Sequence, residues 1–251
     1  MSTPLVEQSP VSFSGAVHED ADVHASSDEY AARFGDSIGQ WMLSIQERTV
    51  VKMLDSECVS ILDVGGGHGQ IAIPLSQAER SVTVLGSSPV CAQRLHDYIE
   101  SGSISFKSGN LLQLPFEAQS FNLTVSFRLM SHCSAWPTLV AELCRVSSHA
   151  VIIDYPIWLS FNILSPLLFR VKKWIEGNTR TFRVFTNREV IREFKKHGFR
   201  LERVERQFFF PMAVHRAFKA VPVSCRLCEL ARTVGLTRLF GSPVIAKFVR
   251  E

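Results

Sequence analysis

The segment richest in chemistry is Ile61–Gly69, ILDVGGGHG. An apolar run carries Asp63, and glycines follow at 65, 66, 67 and 69 before a helical stretch. Glycines at a strand-to-helix turn let the backbone approach a ligand closely and aim a helix N-terminus at it. The spacing is G-x-G-x-G. A dinucleotide fingerprint, G-x-G-x-x-G, would need glycine where the chain has Gln70, which argues against NAD or FAD. The absence of G-x-x-x-x-G-K-[ST] argues against a nucleoside-triphosphate loop.

The elements around this loop alternate. Strands are predicted over Val59–Val64, Ser81–Leu85, Ile104–Lys107, Phe121–Phe127, Ala150–Asp154, Leu201–Phe209 and Val244–Val249. Helices are predicted over Gln70–Glu79, Pro89–Glu100, Pro137–Val146 and Asn187–His197. Such alternation makes a parallel sheet covered on both faces. Upstream, Tyr30, Phe34, Ile38, Trp41 and Ile45 recur every three or four residues, predicting one helix from Asp28 to about Leu54.

Four ordered stretches resemble the class I S-adenosylmethionine-dependent methyltransferases, nearest to the small-molecule branch of ubiquinone and menaquinone biosynthesis. They are the glycine loop, Gly109–Phe116 with Ser120–Leu123, Val125–His132, and Ala141–Val146. The resemblance implies a Rossmann-like, doubly wound α/β fold. Its seven-stranded sheet has six parallel strands and an antiparallel last one, with helices on both faces and an inserted lid. It implies S-adenosyl-L-methionine as cofactor, held by Tyr30, Arg33, Asp63, Gly65, Gly67, Gly69, Gly86, Ser87, Asn110, Leu111, Phe127 and Arg128. Two of these depart from the family pattern. Gly86 stands where an acid usually grips the ribose, and Asn110 where an aspartate contacts adenine. Each change removes a charge-assisted hydrogen bond, so an acid restored at 86 is expected to tighten binding.

Methyl transfer from a sulfonium is an in-line displacement in which positioning does most of the work. His132, Asp154 and Tyr155 are candidate catalytic groups at the strand ends. Arg183 and His215 are candidate substrate contacts in the lid. Packing, capping or solvation is the alternative for each. Cys225 and Cys228 have zinc-ligand spacing but no second pair follows, so no metal is assigned. His68 is read as a surface residue of the turn.

The 251 residues are 46% hydrophobic and 20% charged, which fits one folded domain and excludes a disordered chain. Residues 1–28 read as a mobile polar tail. Residues 29–251 read as a single domain with a helical cap at 29–57 and lids at 156–185 and 210–241. No signal peptide is visible and the thiols are expected reduced, giving a cytoplasmic expectation. Residues 1–150 carry 8 Lys and Arg against 16 Asp and Glu, whereas residues 151–251 carry 19 against 8. The basic half, with its apolar run, suits a hydrophobic or amphipathic small-molecule acceptor, methylated on oxygen or carbon. Peripheral contact of Pro156–Lys173 with anionic membrane is a further expectation. Nucleic acid is not an expected partner. A fold retained with weak or lost catalysis, and an RNA methyltransferase, are the alternative readings.

Overall fold

A computed structural model describes residues 19–160, 182–218 and 220–251. Seven strands form one sheet in the order β3-β2-β1-β4-β5-β7-β6. Their ranges are Ser60–Val64 (β1), Ser81–Gly86 (β2), Ile104–Ser108 (β3), Phe121–Ser126 (β4), Ser147–Tyr155 (β5), Phe199–Phe208 (β6) and Ser242–Arg250 (β7). β1 pairs in parallel with both β2 and β4, and β4 with β5. β7 runs antiparallel between β5 and β6, so six strands share one direction. This is the doubly wound architecture expected from the alternation.

Strand periodicity divides the core between two faces. Leu62, Val64, Val151, Ile153, Ala246 and Phe248 join one cluster, while Ile61, Ala150, Ile152, Ile245 and Val249 join the other. Burial on both faces explains why these strands read as continuous apolar runs. The helices beside the sheet are Ala72–Gln77 (α4), His96–Glu100 (α5), Trp136–Val146 (α6) and Asn187–Lys196 (α7). A 3₁₀ turn over Pro89–Leu95 precedes α5. α7 starts on a capping box in which Thr186 and Glu189 satisfy each other's backbone N–H.

The amino-terminal region departs from expectation. The helix predicted from Asp28 is two, Asp28–Ala32 (α2) and Ser37–Val51 (α3). Asp36 ends the continuity because its carboxylate accepts from Gly39 N and starts a new helix. Ahead of these, Ala21–Ala25 (α1) is helical and Asp22 is buried, although a mobile tail was expected over residues 1–28. Polar composition misleads there because buried donors satisfy the carboxylate.

Within 210–241, the helices Met212–Phe218 (α8), Val221–Thr233 (α9) and Leu236–Phe240 (α10) follow β6. α3, β6, α8 and α9 meet at Ile38, Met42, Phe208, Met212, Val221 and Cys228. The insertion at 156–185 is tied at its base, where Trp158 N donates to Phe185 O and Phe185 N to Pro156 O. Residues 161–181, which contain most of the expected membrane-contact run, lie outside the described residues. Among the described residues, no helix is long and apolar enough to cross a membrane.

Candidate active site

Strand order reverses between β1 and β4, and ligands of open α/β sheets bind in the crevice beyond the strand ends at such a point. The glycine loop lies there. Gly65 (φ 78°) and Gly69 (φ 80°) occupy left-handed conformations that a side chain would strain. A Cβ on Gly67 would lie 2.4 Å from the Cys91 carbonyl oxygen, so this position needs glycine for close backbone approach.

Two opposite charges flank the small cavity that remains beside the loop. Asp63, the penultimate residue of β1, is 1% exposed and leaves its Oδ1 without a hydrogen-bond partner. Burial pushes its carboxyl up to about 7, against a backbone N–H bond from Ala72 that lowers it. Arg128 follows β4 with φ 57°, and both its terminal nitrogens are buried without hydrogen-bond partners. Its guanidinium lies 4.6 Å from the Phe34 ring centre and 5.8 Å from that of Tyr30. Asp63, Gly65, His68, Phe127 and Arg128 all line this cavity, whose volume is about 20 Å³.

His68 was expected at the surface of the turn. Instead its ring sits edge-on to Tyr30 and Phe34, with both nitrogens buried. Burial first, then the charges of Arg128 and Arg94, lower its pKa to about 4, so the ring is neutral.

A larger cavity of about 320 Å³ adjoins the first, with Arg128 common to both. Tyr30, His132 and Asp154 line it together with Met42, Phe182, Phe208, Phe209 and Phe210. Asp154 Oδ1 accepts from Arg128 N at 2.6 Å. Burial raises its pKa to about 6, opposed by that hydrogen bond and by the nearby guanidinium. A carboxyl in this range exchanges protons near neutrality. His132 packs its ring 5.6 Å from that of Phe182.

Several expected site residues are elsewhere. Tyr155 is 1% exposed, packs in the core against Phe185, and donates its hydroxyl to Asn187 Oδ1 at 3.0 Å. Strand alternation turns it away from the side that Asp154 serves. Arg183 lies over the Trp136 and Phe185 rings and 3.6 Å from Glu189, outside both cavities. His215 is fully buried among Trp41, Phe208, Phe210 and Cys228. Arg33 is exposed, with its guanidinium 5.5 Å from the Tyr30 ring centre, and lines neither cavity. Leu111 is core, and Asn110 Oδ1 accepts from Leu112 N, shaping the turn after β3.

Gly86 overturns the expectation of a restorable acid. A Cβ there would lie 2.6 Å from Cys91 Cβ and 3.0 Å from Phe106 Cζ, leaving no room for a side chain. An acid reaches the end of β2 from another element. Asp22 of α1 accepts from Ser87 N at 2.7 Å and from Ser87 Oγ at 2.5 Å. Nothing in the composition of that polar segment marks Asp22 out from its acidic neighbours.

One further cluster lies before β1, where Asp55, Cys58 and His149 offer ligand atoms close together. Lys247 places its ammonium 2.6 Å from Asp55 Oδ2 and 2.8 Å from Glu202, so a cation already occupies that position.

Residues 61–149 match a family model described as a methyltransferase domain. No curated protein matches the chain. The solved structures similar to it include a magnesium protoporphyrin IX methyltransferase from Synechocystis with bound S-adenosylhomocysteine. That structure has a TM-score of 0.61 and 14% identity, covering 91% of this chain and 97% of that one. An S-adenosylmethionine-dependent methyltransferase from Thermotoga maritima has a TM-score of 0.63 and 14% identity, covering 89% and 96%. The [4+2]-cyclase SpnF has a TM-score of 0.54 and 18% identity, covering 84% and 80%. The chain therefore has the fold of the class I S-adenosylmethionine-dependent methyltransferases, and its residues 61–149 match the model of a methyltransferase domain.

Proposed function

We propose that the protein transfers the methyl group of S-adenosylmethionine to a small, hydrophobic or amphipathic acceptor held in the 320 Å³ cavity. The observation that carries this reading is the pairing of Asp63 and Arg128 on the cavity beside the glycine loop. An orphaned carboxylate oxygen and an orphaned guanidinium across one small space match the ammonium and carboxylate of an amino acid. A buried charge without a partner is costly, and a zwitterion satisfies both at once. Bound S-adenosylmethionine supplies an electrophilic methyl group on a sulfonium.

The chain's own residues have separable roles. Asp63 accepts from the ammonium, and Arg128 donates to the carboxylate. The aromatic wall of Phe208, Phe209 and Phe210 excludes water and orients an apolar acceptor. Asp154 takes the proton from an acceptor hydroxyl or acidic carbon, its position fixed by the Arg128 N–H. His132, which lines the same cavity, contacts the acceptor. Methylation of oxygen or carbon follows from this use of a carboxylate base.

A second reading keeps the ligand and omits the transfer, and the similarity to a cyclase of the same fold favours retaining it. Thermal melting of the full chain separates ligand classes. S-adenosylhomocysteine is expected to raise the Tm, while NADH and ATP leave it unchanged. A rise with NADH or ATP instead would contradict the reading.

A further inference from the structure

We propose that residues 19–26 are an internal stand-in for the nucleoside end of the bound ligand, and that ligand binding expels them from the cleft. The inference rests on the reading of the site given above.

The segment crosses the crevice from one sheet element to another. Ala21 is buried in the cluster that includes Leu111, Leu129, Met130 and Cys133, beyond β3 and β4. Asp22, one residue on, engages Ser87 at the end of β2 through both carboxylate oxygens and lies 3.4 Å from Cys91 Sγ. Ser26 is 3% exposed and donates its hydroxyl to Asp22 O.

These residues take up the clearance that the glycine loop creates. A Cβ on Gly65 would meet Asp22 Cβ at 3.5 Å, and one on Gly67 would meet Ser26 Oγ at 2.4 Å. What remains beside the loop is about 20 Å³, room for about one water molecule and far too little for a nucleoside. A loop shaped for close approach of a ligand is thus filled by the chain itself.

The attachment suits release. The buried residues of α1 are Ala21 and Asp22, so little apolar surface holds it down. The tie at the end of β2 is a pair of hydrogen bonds from the Ser87 N–H and hydroxyl to the Asp22 carboxylate, and ribose oxygens can accept from the same two donors. The next helix has a cap of its own, because the Ser27 side chain accepts from Tyr30 N; the same hydroxyl donates to His24 O, and the His24 ring lies edge-on to Tyr30, so these are the contacts that release must loosen. Ser27 is therefore the pivot. Binding then selects an open minority state, and apparent affinity is reduced by the fraction of molecules that are open.

The test combines hydrogen exchange of the full chain with calorimetric titration of S-adenosylhomocysteine. In the native protein, the ligand is expected to speed exchange across residues 20–27 while slowing it across the glycine loop. Asp22→Ala is expected to exchange rapidly over 20–27 without ligand and to bind about tenfold more tightly, the net gain when the two charged hydrogen bonds to Ser87 no longer compete with the ligand. Asp22→Asn keeps the shape and removes the charge, and a smaller gain is expected if the alanine variant folds poorly. Slower exchange over 20–27 with ligand, or weaker or equal binding by both variants, would overturn the inference and make Asp22 a ligand contact or a bystander. Binding by the native protein with no change in the variants contradicts the inference alone. Absence of binding by all three proteins contradicts the methyl-donor reading and the inference with it.

Discussion

The backbone N–H of Arg128 donates to Asp154 Oδ1 across 2.6 Å, joining the loop after β4 to the end of β5. One residue thereby touches both cavities, offering its guanidinium to one and fixing through its backbone the acid of the other. Asp154→Asn is expected to retain ligand binding within about threefold. In the native protein, methyl transfer is expected to rise as pH passes through about 6, and in the variant that rise disappears. Transfer assayed against a panel of phenols and other hydroxylated aromatics checks this, and an unaltered pH profile in the variant counts against Asp154 as base.

Asp63 links pH to binding. Its carboxyl is neutral below about 7, and an ammonium favours the ionised form. Affinity for S-adenosylhomocysteine is therefore expected to rise up to about tenfold per pH unit below 7 and to level off above it. Titrations at pH 5.5, 6.5 and 8 read this directly. Asp63→Asn should show weak, pH-independent binding.

The same group sets a stability trend of defined sign. Between its unfolded pKa near 4 and its folded pKa near 7, the native state binds more protons than the unfolded chain. Stability consequently falls as pH rises through that window, by a few kcal/mol at most, and is flat above it for this group. Urea melts at pH 5 and 8 are expected to show the native protein losing more stability than Asp63→Asn over that interval.

Gly86→Asp is expected to destabilise the fold rather than improve the site, because its Cβ would overlap Cys91 and crowd Phe106. Overpacking of this kind costs about 1–3 kcal/mol, or roughly 2–10 °C in Tm for a domain of this size. A melting curve indistinguishable from the native one would show that the end of β2 has room for an acid.

Phe194 of α7 stacks on Phe248 of β7 with centroids 3.8 Å apart and an interplanar angle of 4°. Both rings are fully buried. Phe194→Ala is expected to cost about 3–5 kcal/mol in a urea melt, the range for truncating a buried aromatic side chain.

The fold was legible because the strands are buried on both faces and the intervening helices carry clear starts and stops. The turn at Gly65 and Gly67 was legible from spacing, because backbone geometry at a turn leaves a sequence trace. Asp22 was not, since its role depends on Ser87, 65 residues away. Tyr155 and Asp154 are adjacent in sequence, and only the pleat decides that one faces the cavity and the other the core. Arg183 and His215 read as substrate contacts from charge and position. Aromatic neighbours from α3, β6 and the turn after β6 enclose His215 instead. The break between α2 and α3 was hidden because apolar periodicity continues across it, and only the Asp36 cap interrupts the hydrogen bonding.

Calorimetric titration of the full chain and of Arg128→Met with S-adenosylhomocysteine at pH 8 tests the central claim most directly. The account predicts one saturable site in the native protein and binding at least about tenfold weaker in the variant, as a buried guanidinium–carboxylate pair is lost. No binding by the native protein, or equal affinity in the two, would contradict it.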